Sequence, residues 1–153
     1  MLVAFAGTVS ALAAAAPAAR AIITHGVPVV IETHGHDRGI RRFTLTQAEG
    51  AGERIADSGA ATLMVERSSV EAARGVHVRT LHGVEALTGT HGILTLRLTA
   101  RQVSRRGRWS QAEGTWALAH GTGEYASFRG GGELRCEQGL STARLTGMII
   151  TAL

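Results

Sequence analysis

Short apolar runs alternate with polar positions along most of the chain, and each run is closed by glycine or by a cluster of small polar residues. The clearest is 93–100, where Leu94, Leu96 and Leu98 share one face of an extended segment and Thr95, Arg97 and Thr99 the other. The same period of two marks 41–47, with Phe43 and Leu45 opposed by Arg42, Thr44 and Thr46, and 133–137, with Leu134 and Cys136 on one face. Further strands are expected at 28–34, 61–67, 76–81, 113–118 (returning from Trp109) and 143–150. Turns fall at His36-Asp37-Arg38-Gly39, at 87–92, at Arg105-Arg106-Gly107-Arg108 and at Gln138-Gly139. The small, polar stretch 48–59 reads as a loop, and 68–74 has room for one helical turn. About eight strands at nearly even spacing predict an all-β fold, a closed eight-stranded antiparallel β-barrel of calycin-like form, because closure removes exposed edges. A β-sandwich is the competing architecture.

The densest stretch is 114–132. Trp116 and Leu118 share a strand face, Gly121 and Gly123 let the chain bend, and Tyr125 and Phe128 supply apolar surface to fill the bend. Gly121, Thr122, Gly123, Arg129 and Gly130 are expected to form a structural corner, with Thr122 capping a turn and Arg129 reaching back to backbone carbonyls or to a carboxylate such as Glu113.

Composition refines this picture. The 153 residues suit one domain, and 20 glycines against 2 prolines suit tight turns between strands. The 16 basic side chains are all arginine and face 12 acids, a net charge of +4 that favours solubility and identifies no partner. The one cysteine, Cys136, excludes an intramolecular disulfide and falls on an apolar face as an inert buried thiol. Residues 1–21 differ in kind: an Ala-rich apolar run ends at Ala19-Arg20-Ala21, the small-x-small pattern of signal-peptidase cleavage. The expectation is a signal peptide over 1–21, a barrel domain over 22–153, and a secreted or periplasmic protein with no membrane association once the leader is removed.

The string Gly121-Thr122-Gly123-Glu124-Tyr125, followed by Phe128-Arg129-Gly130, with Trp116 upstream and Leu145-Thr146-Gly147 near the end, resembles the allene oxide cyclase barrel-like domains. Plant dirigent proteins show a similar signature. The likeness spans about 87–149; it implies an eight-stranded barrel with an apolar or partly polar interior, and homo-oligomers such as trimers or dimers. It brings no catalytic residue onto a position of this chain.

Each chemical motif competes with an ordinary structural reading. The string 121–126 matches G-x-G-x-x-A, but dinucleotide binding needs a helix after it, and Phe128-Arg129-Gly130-Gly131-Gly132 will not make one. Glu32, His34 and His36 share a strand face and are the metal-ligand candidates, though no later stretch completes a coordination sphere, so no metal and no other cofactor is expected. Arg101, Arg105, Arg106 and Arg108 with Trp109 form a basic tip that suits weak polyanion binding or simple solubility, without specificity for nucleic acid. Glu32, Glu66, Glu113, Glu124 and Tyr125 are candidates for acid–base work, Glu113 and Tyr125 foremost, since a carboxyl turned into an apolar lumen has a raised pKa; most of them fall on the outward phase of their strands. Non-catalytic binding of a small apolar ligand, at Trp116, Tyr125 and Phe128, or an extracytoplasmic interaction role is therefore the leading expectation. A cofactor-free cyclase or isomerase and a weak polyanion binder are the alternatives.

Overall fold

Nine β-strands and one short 3-10 turn make up the computed structural model, which describes residues 25–35, 41–48, 55–137 and 142–151. The strands are β1 His25–Gly35, β2 Arg41–Gln47, β3 Ala56–Ala73, β4 Val76–Gly89, β5 Ile93–Arg105, the two-residue β6 Arg108–Trp109, β7 Ala112–Gly121, β8 Phe128–Cys136 and β9 Thr142–Thr151. All pairings are antiparallel, in the order β4-β3-β2-β1-β9-β8-β7-β5, and β4 pairs with β5 to close an eight-stranded barrel. The expected leader, 1–21, and His36 lie outside the described residues. None of the described helices is long and apolar enough to cross a membrane, which says nothing of strands.

The register carries a stagger. Following paired residues once round the ring from Asp57 leads through Leu45, Ile31, Leu145, Leu134, Gly114, Ala100 and Leu81, and returns to β3 at Ser68 rather than at the start. Such a shear tilts the strands and sets the barrel's width. It also leaves β3 beyond Ala61 without β2 as a neighbour, since the last pair is Arg41 with Ala61. The far half of β3, the start of β4, the end of β5 and β6 consequently project past the barrel as a ribbon.

The structure corrects four boundaries. Residues 68–74 are not helical: 68–73 continue β3 in register with β4 after a bulge between Val65 and Arg67. The loop expected at 48–59 yields to strand from Ala56 onward. β4 runs on through Gly83 to Gly89, and the corner narrows to Thr90–Gly92. β8 likewise begins at Phe128, so the glycine triplet 130–132 is strand.

The lumen is filled from every wall. Val29, Ile31, Phe43, Leu45, Leu87, Leu94, Leu96, Trp116, Leu134, Leu145 and Ile149 are all within 2% of full burial. Each large aliphatic buried this way contributes about 1.5–3 kcal/mol from its removal from water. The glycines of β8 and β9 make room for the largest of them: a Cβ on Gly147 would stand 2.8 Å from Trp116 Cζ2 and 2.2 Å from the Gly131 carbonyl oxygen. Trp116 Nε1–H donates to the Thr146 carbonyl at 3.2 Å, so the indole's one polar group is satisfied inside the core.

Candidate functional site

Two polar clusters interrupt this apolar interior, towards opposite ends of the barrel, and they differ in whether their hydrogen bonds are complete. The first is built on Asp57, buried at the start of β3. Its carboxylate accepts from the Ser58 N–H (2.8 Å), the Thr90 N–H (3.0 Å) and hydroxyl (2.7 Å), the His91 N–H (3.3 Å) and the Tyr125 hydroxyl (2.6 Å). Gly89 leaves the space: a Cβ there would lie 2.0 Å from Asp57 Oδ2. Burial alone would raise the pKa of this carboxyl, but the bonds from Tyr125, Thr90 and Ser58 outweigh it and hold the group well below the usual carboxylate range. Tyr125 is driven the other way, above an ordinary phenol, by burial and by its bond to Asp57. A carboxylate held below its usual range and supplied with five donor hydrogen bonds, one of them from a phenol pushed above its usual range, acts as a fastening for this end of the barrel.

The corner expected at 121–130 is the other half of this fastening. A Cβ on Gly121 would sit 2.0 Å from the Tyr125 carbonyl oxygen, and Gly123 has φ +60°, so both need glycine. The 3-10 turn Gly123–Tyr125 receives no side-chain cap from Thr122, whose hydroxyl instead accepts from the Ile93 N–H at 3.0 Å. Arg129 donates to the Phe128 carbonyl at 2.8 Å, leaving Glu113 aside, and Gly130 pairs with Ile149 within the sheet. Phe128 is half-buried and meets Tyr125 edge to face at 5.3 Å. Trp116, Tyr125 and Phe128 thus come together as core and corner, and none of them borders the pocket described next.

The second cluster joins Arg41 of β2, Thr33 of β1 and Glu85 of β4. Arg41 donates to the Thr33 hydroxyl at 2.6 Å, and its guanidinium lies 3.6 Å from Glu85 Oε1, beyond hydrogen-bond length. The Glu85 side chain is 1% exposed and that of Arg41 11%. Arg41 Nε and Glu85 Oε1 are both buried and without a hydrogen-bond partner among the described residues. Beside them is a cavity of about 30 Å³, walled by Leu63, Leu81, Leu98, Ala100, Leu134 and Cys136. Burial raises the Glu85 pKa and the Arg41 charge only partly offsets this. The Cys136 thiol is pushed up to about 11, chiefly by burial, so it is a neutral part of the wall. Chemically, this end of the lumen offers one carboxyl whose proton is held more tightly than usual, one guanidinium N–H and an apolar surround.

Glu85 is the lumen carboxyl that sequence reasoning overlooked, and its signal was its phase with Leu81 and Leu87, masked by ending the strand before Gly83. The named alternatives sit elsewhere. Glu113 is exposed on the outer wall, opposite Arg135 and Arg101 in register; Glu32 and Arg144 form a surface ion pair at 2.6 Å; Glu66 is exposed on β3; and Glu124 lies 3.1 Å from His91 at the surface. His34 is exposed at the end of β1, and among the described residues no three His, Cys, Asp or Glu side chains gather to hold a metal.

The raised Glu85 pKa has a testable sign. An acid whose folded pKa exceeds its unfolded value, about 4.3, gives full stability below that value and loses it as pH rises towards the folded pKa. Glu85→Gln removes the titration while keeping the shape. Its stability relative to the parent, from urea midpoints, should therefore increase between pH 4 and pH 8; a difference that is flat across this range would mean that Arg41 fully compensates the carboxylate.

Comparisons of the chain with protein-family models, with curated proteins and with solved structures returned no match.

Proposed function

We propose that this is a non-catalytic binding barrel, which receives the end of a small, largely apolar molecule carrying one hydrogen-bonding group at the Arg41–Glu85 pocket. The observation that carries the reading is that two buried atoms, Arg41 Nε and Glu85 Oε1, lack a hydrogen-bond partner among the described residues, the second having only the 3.6 Å ion-pair contact with Arg41, beside an apolar cavity. Buried polar groups cost free energy unless paired, so a ligand hydroxyl or carboxyl at this point is favoured by the groups already there. The size of the cavity, about 30 Å³, suits a ligand head or a water or two and not a whole drug-sized substrate. Secretion through the 1–21 leader and membership of the allene oxide cyclase barrel-like domains are part of the same proposal, supported by the Ala19-Arg20-Ala21 pattern and by the Gly121-Thr122-Gly123 and Phe128-Arg129-Gly130 strings.

Methyl NMR tests it with short-chain alcohols and carboxylic acids as probes. Binding should shift the methyls of Leu63, Leu81 and Leu98 together, and Ala100→Val, which fills the cavity, should abolish the shifts while the barrel stays folded. Shifts scattered over the surface, or unchanged in Ala100→Val, would overturn the reading. A second reading, cofactor-free isomerisation or cyclisation, draws on the raised pKa of Glu85; it requires turnover of a bound compound that Glu85→Gln abolishes without loss of binding.

A further inference from the structure

The ribbon that projects from the barrel concentrates the protein's positive charge. Residues 65–79 and 101–109 hold seven arginines and two glutamates, whereas the rest of the chain holds nine arginines and ten acids. The modest net charge of +4 therefore divides into a ribbon of +5 and a remainder of −1.

Strand pairing brings the two ends of this ribbon side by side. Ala73 pairs with Val76, Val76 with Arg105, and Arg105 with Arg108, so the turn Arg74-Gly75 lies next to the turn Arg106-Gly107. Adjacent strands are about 4.8 Å apart, which places the two turns on the order of 10 Å from each other. Arg74, Arg105, Arg106 and Arg108 are all exposed, and none is in a salt bridge among the described residues.

Both turns are also built against local preference. Arg74 has φ +49° and Arg106 φ +53°, each followed by a glycine at +77°. Two-residue hairpin turns of this kind favour asparagine or glycine at the first position, because a Cβ-bearing side chain is strained there. Arginine in that place twice, in adjacent turns, retains a long cation at a conformational cost.

We propose that the paired turns form a docking edge for a linear acidic polysaccharide, with Arg74, Arg105, Arg106 and Arg108 as its charge contacts. The neighbouring chemistry selects this class. Bases of a nucleic acid stack best on an open Trp, Tyr or Phe face, but Arg79 covers the Trp109 ring at 4.4 Å, and no described Trp, Tyr or Phe is fully exposed. A bilayer interface takes an apolar group to insert; Val65 and Val70 are exposed back along β3, but the two turns at the tip present only arginine and glycine.

The test is binding of the full chain to heparin, as a defined sulfated polysaccharide, followed by calorimetry across a salt series. The variant is Arg74→Asn, Arg105→Gln, Arg106→Asn and Arg108→Gln together. Asparagine suits the turn backbone, so the thermal midpoint should hold or rise while heparin affinity falls at least tenfold and the salt dependence becomes shallower. A control with Arg42, Arg97, Arg129 and Arg135 all changed to Gln removes the same charge from the barrel wall and should lose less than twofold. Equal losses in the two variants, or unchanged affinity in the first, would overturn the proposal. So would binding to single-stranded DNA, or to vesicles containing phosphatidylserine, that matches or exceeds binding to heparin.

Discussion

Asp57→Ala should cost about 4 kcal/mol of stability at pH 7, the largest loss expected from any single polar substitution in this chain. The change strands the Tyr125 hydroxyl and the N–H groups of Ser58, Thr90 and His91, all of which now donate to one carboxylate. Those donors come from β3, from the corner between β4 and β5, and from the turn before β8, so their release loosens three segments at once. The effect has a pH signature. Because the folded pKa of Asp57 is held down, its contribution is complete above the unfolded value of about 3.9 and is lost as pH falls below it. Urea unfolding should therefore show parent and Asp57→Ala converging as the pH is lowered from 5 towards 2. A gap of less than 1 kcal/mol at pH 7, or one that does not narrow in acid, would show that the carboxylate does not fasten this end.

The second large effect belongs to Trp116. Trp116→Ala removes an indole that is 2% exposed and leaves a cavity that the glycines of β8 and β9 cannot fill, at a cost of about 3–5 kcal/mol. Gly147→Ala approaches the same contact from the other side. The added methyl meets the Gly131 carbonyl oxygen at 2.2 Å, and backbone cannot swing away as a side chain can, so a loss of about 2–3 kcal/mol is expected. Combining the two should cost less than their sum, because the alanine at 147 moves towards the space the indole vacates. Thermal or urea midpoints of the three variants check this; simple additivity would mean that ring and glycine are not in contact.

How much of this was legible in the sequence depends on where burial leaves a mark. Leu94, Leu96 and Leu98 alternate with polar partners because one face of β5 is lumen and the other is solvent, and the strand could be read directly. Trp116 and Tyr125 were expected at one corner, and both are buried. Residues 68–73 were not legible as strand because they are exposed on both faces, held by pairing to β4 and marked by no hydrophobic period. The phase of Arg41 with Phe43 and of Glu85 with Leu87 did carry the lumen pair, yet the expected strand stopped at Leu81, before Gly83, and left Glu85 without a face. Asp57 carried no signal at all: its principal donors lie 33 to 68 residues away, and only the fold assembles them. The basic edge is the same kind of case, since Arg74 and Arg106 become neighbours only through the pairing of β4 with β5.

Every functional statement here depends on eight strands closing round one lumen, and NMR contacts between backbone protons across the β4–β5 seam test that most directly. Closure requires contacts for Leu81 with Ala100, Glu85 with Leu96 and Leu87 with Leu94, alongside Ile31 with Leu145 on the opposite wall. Finding both sets in one sample is the expected result. Contacts on the β1–β9 side with none between β4 and β5 would mean an open sheet, and with it no enclosed Glu85, no pocket and no paired arginine turns.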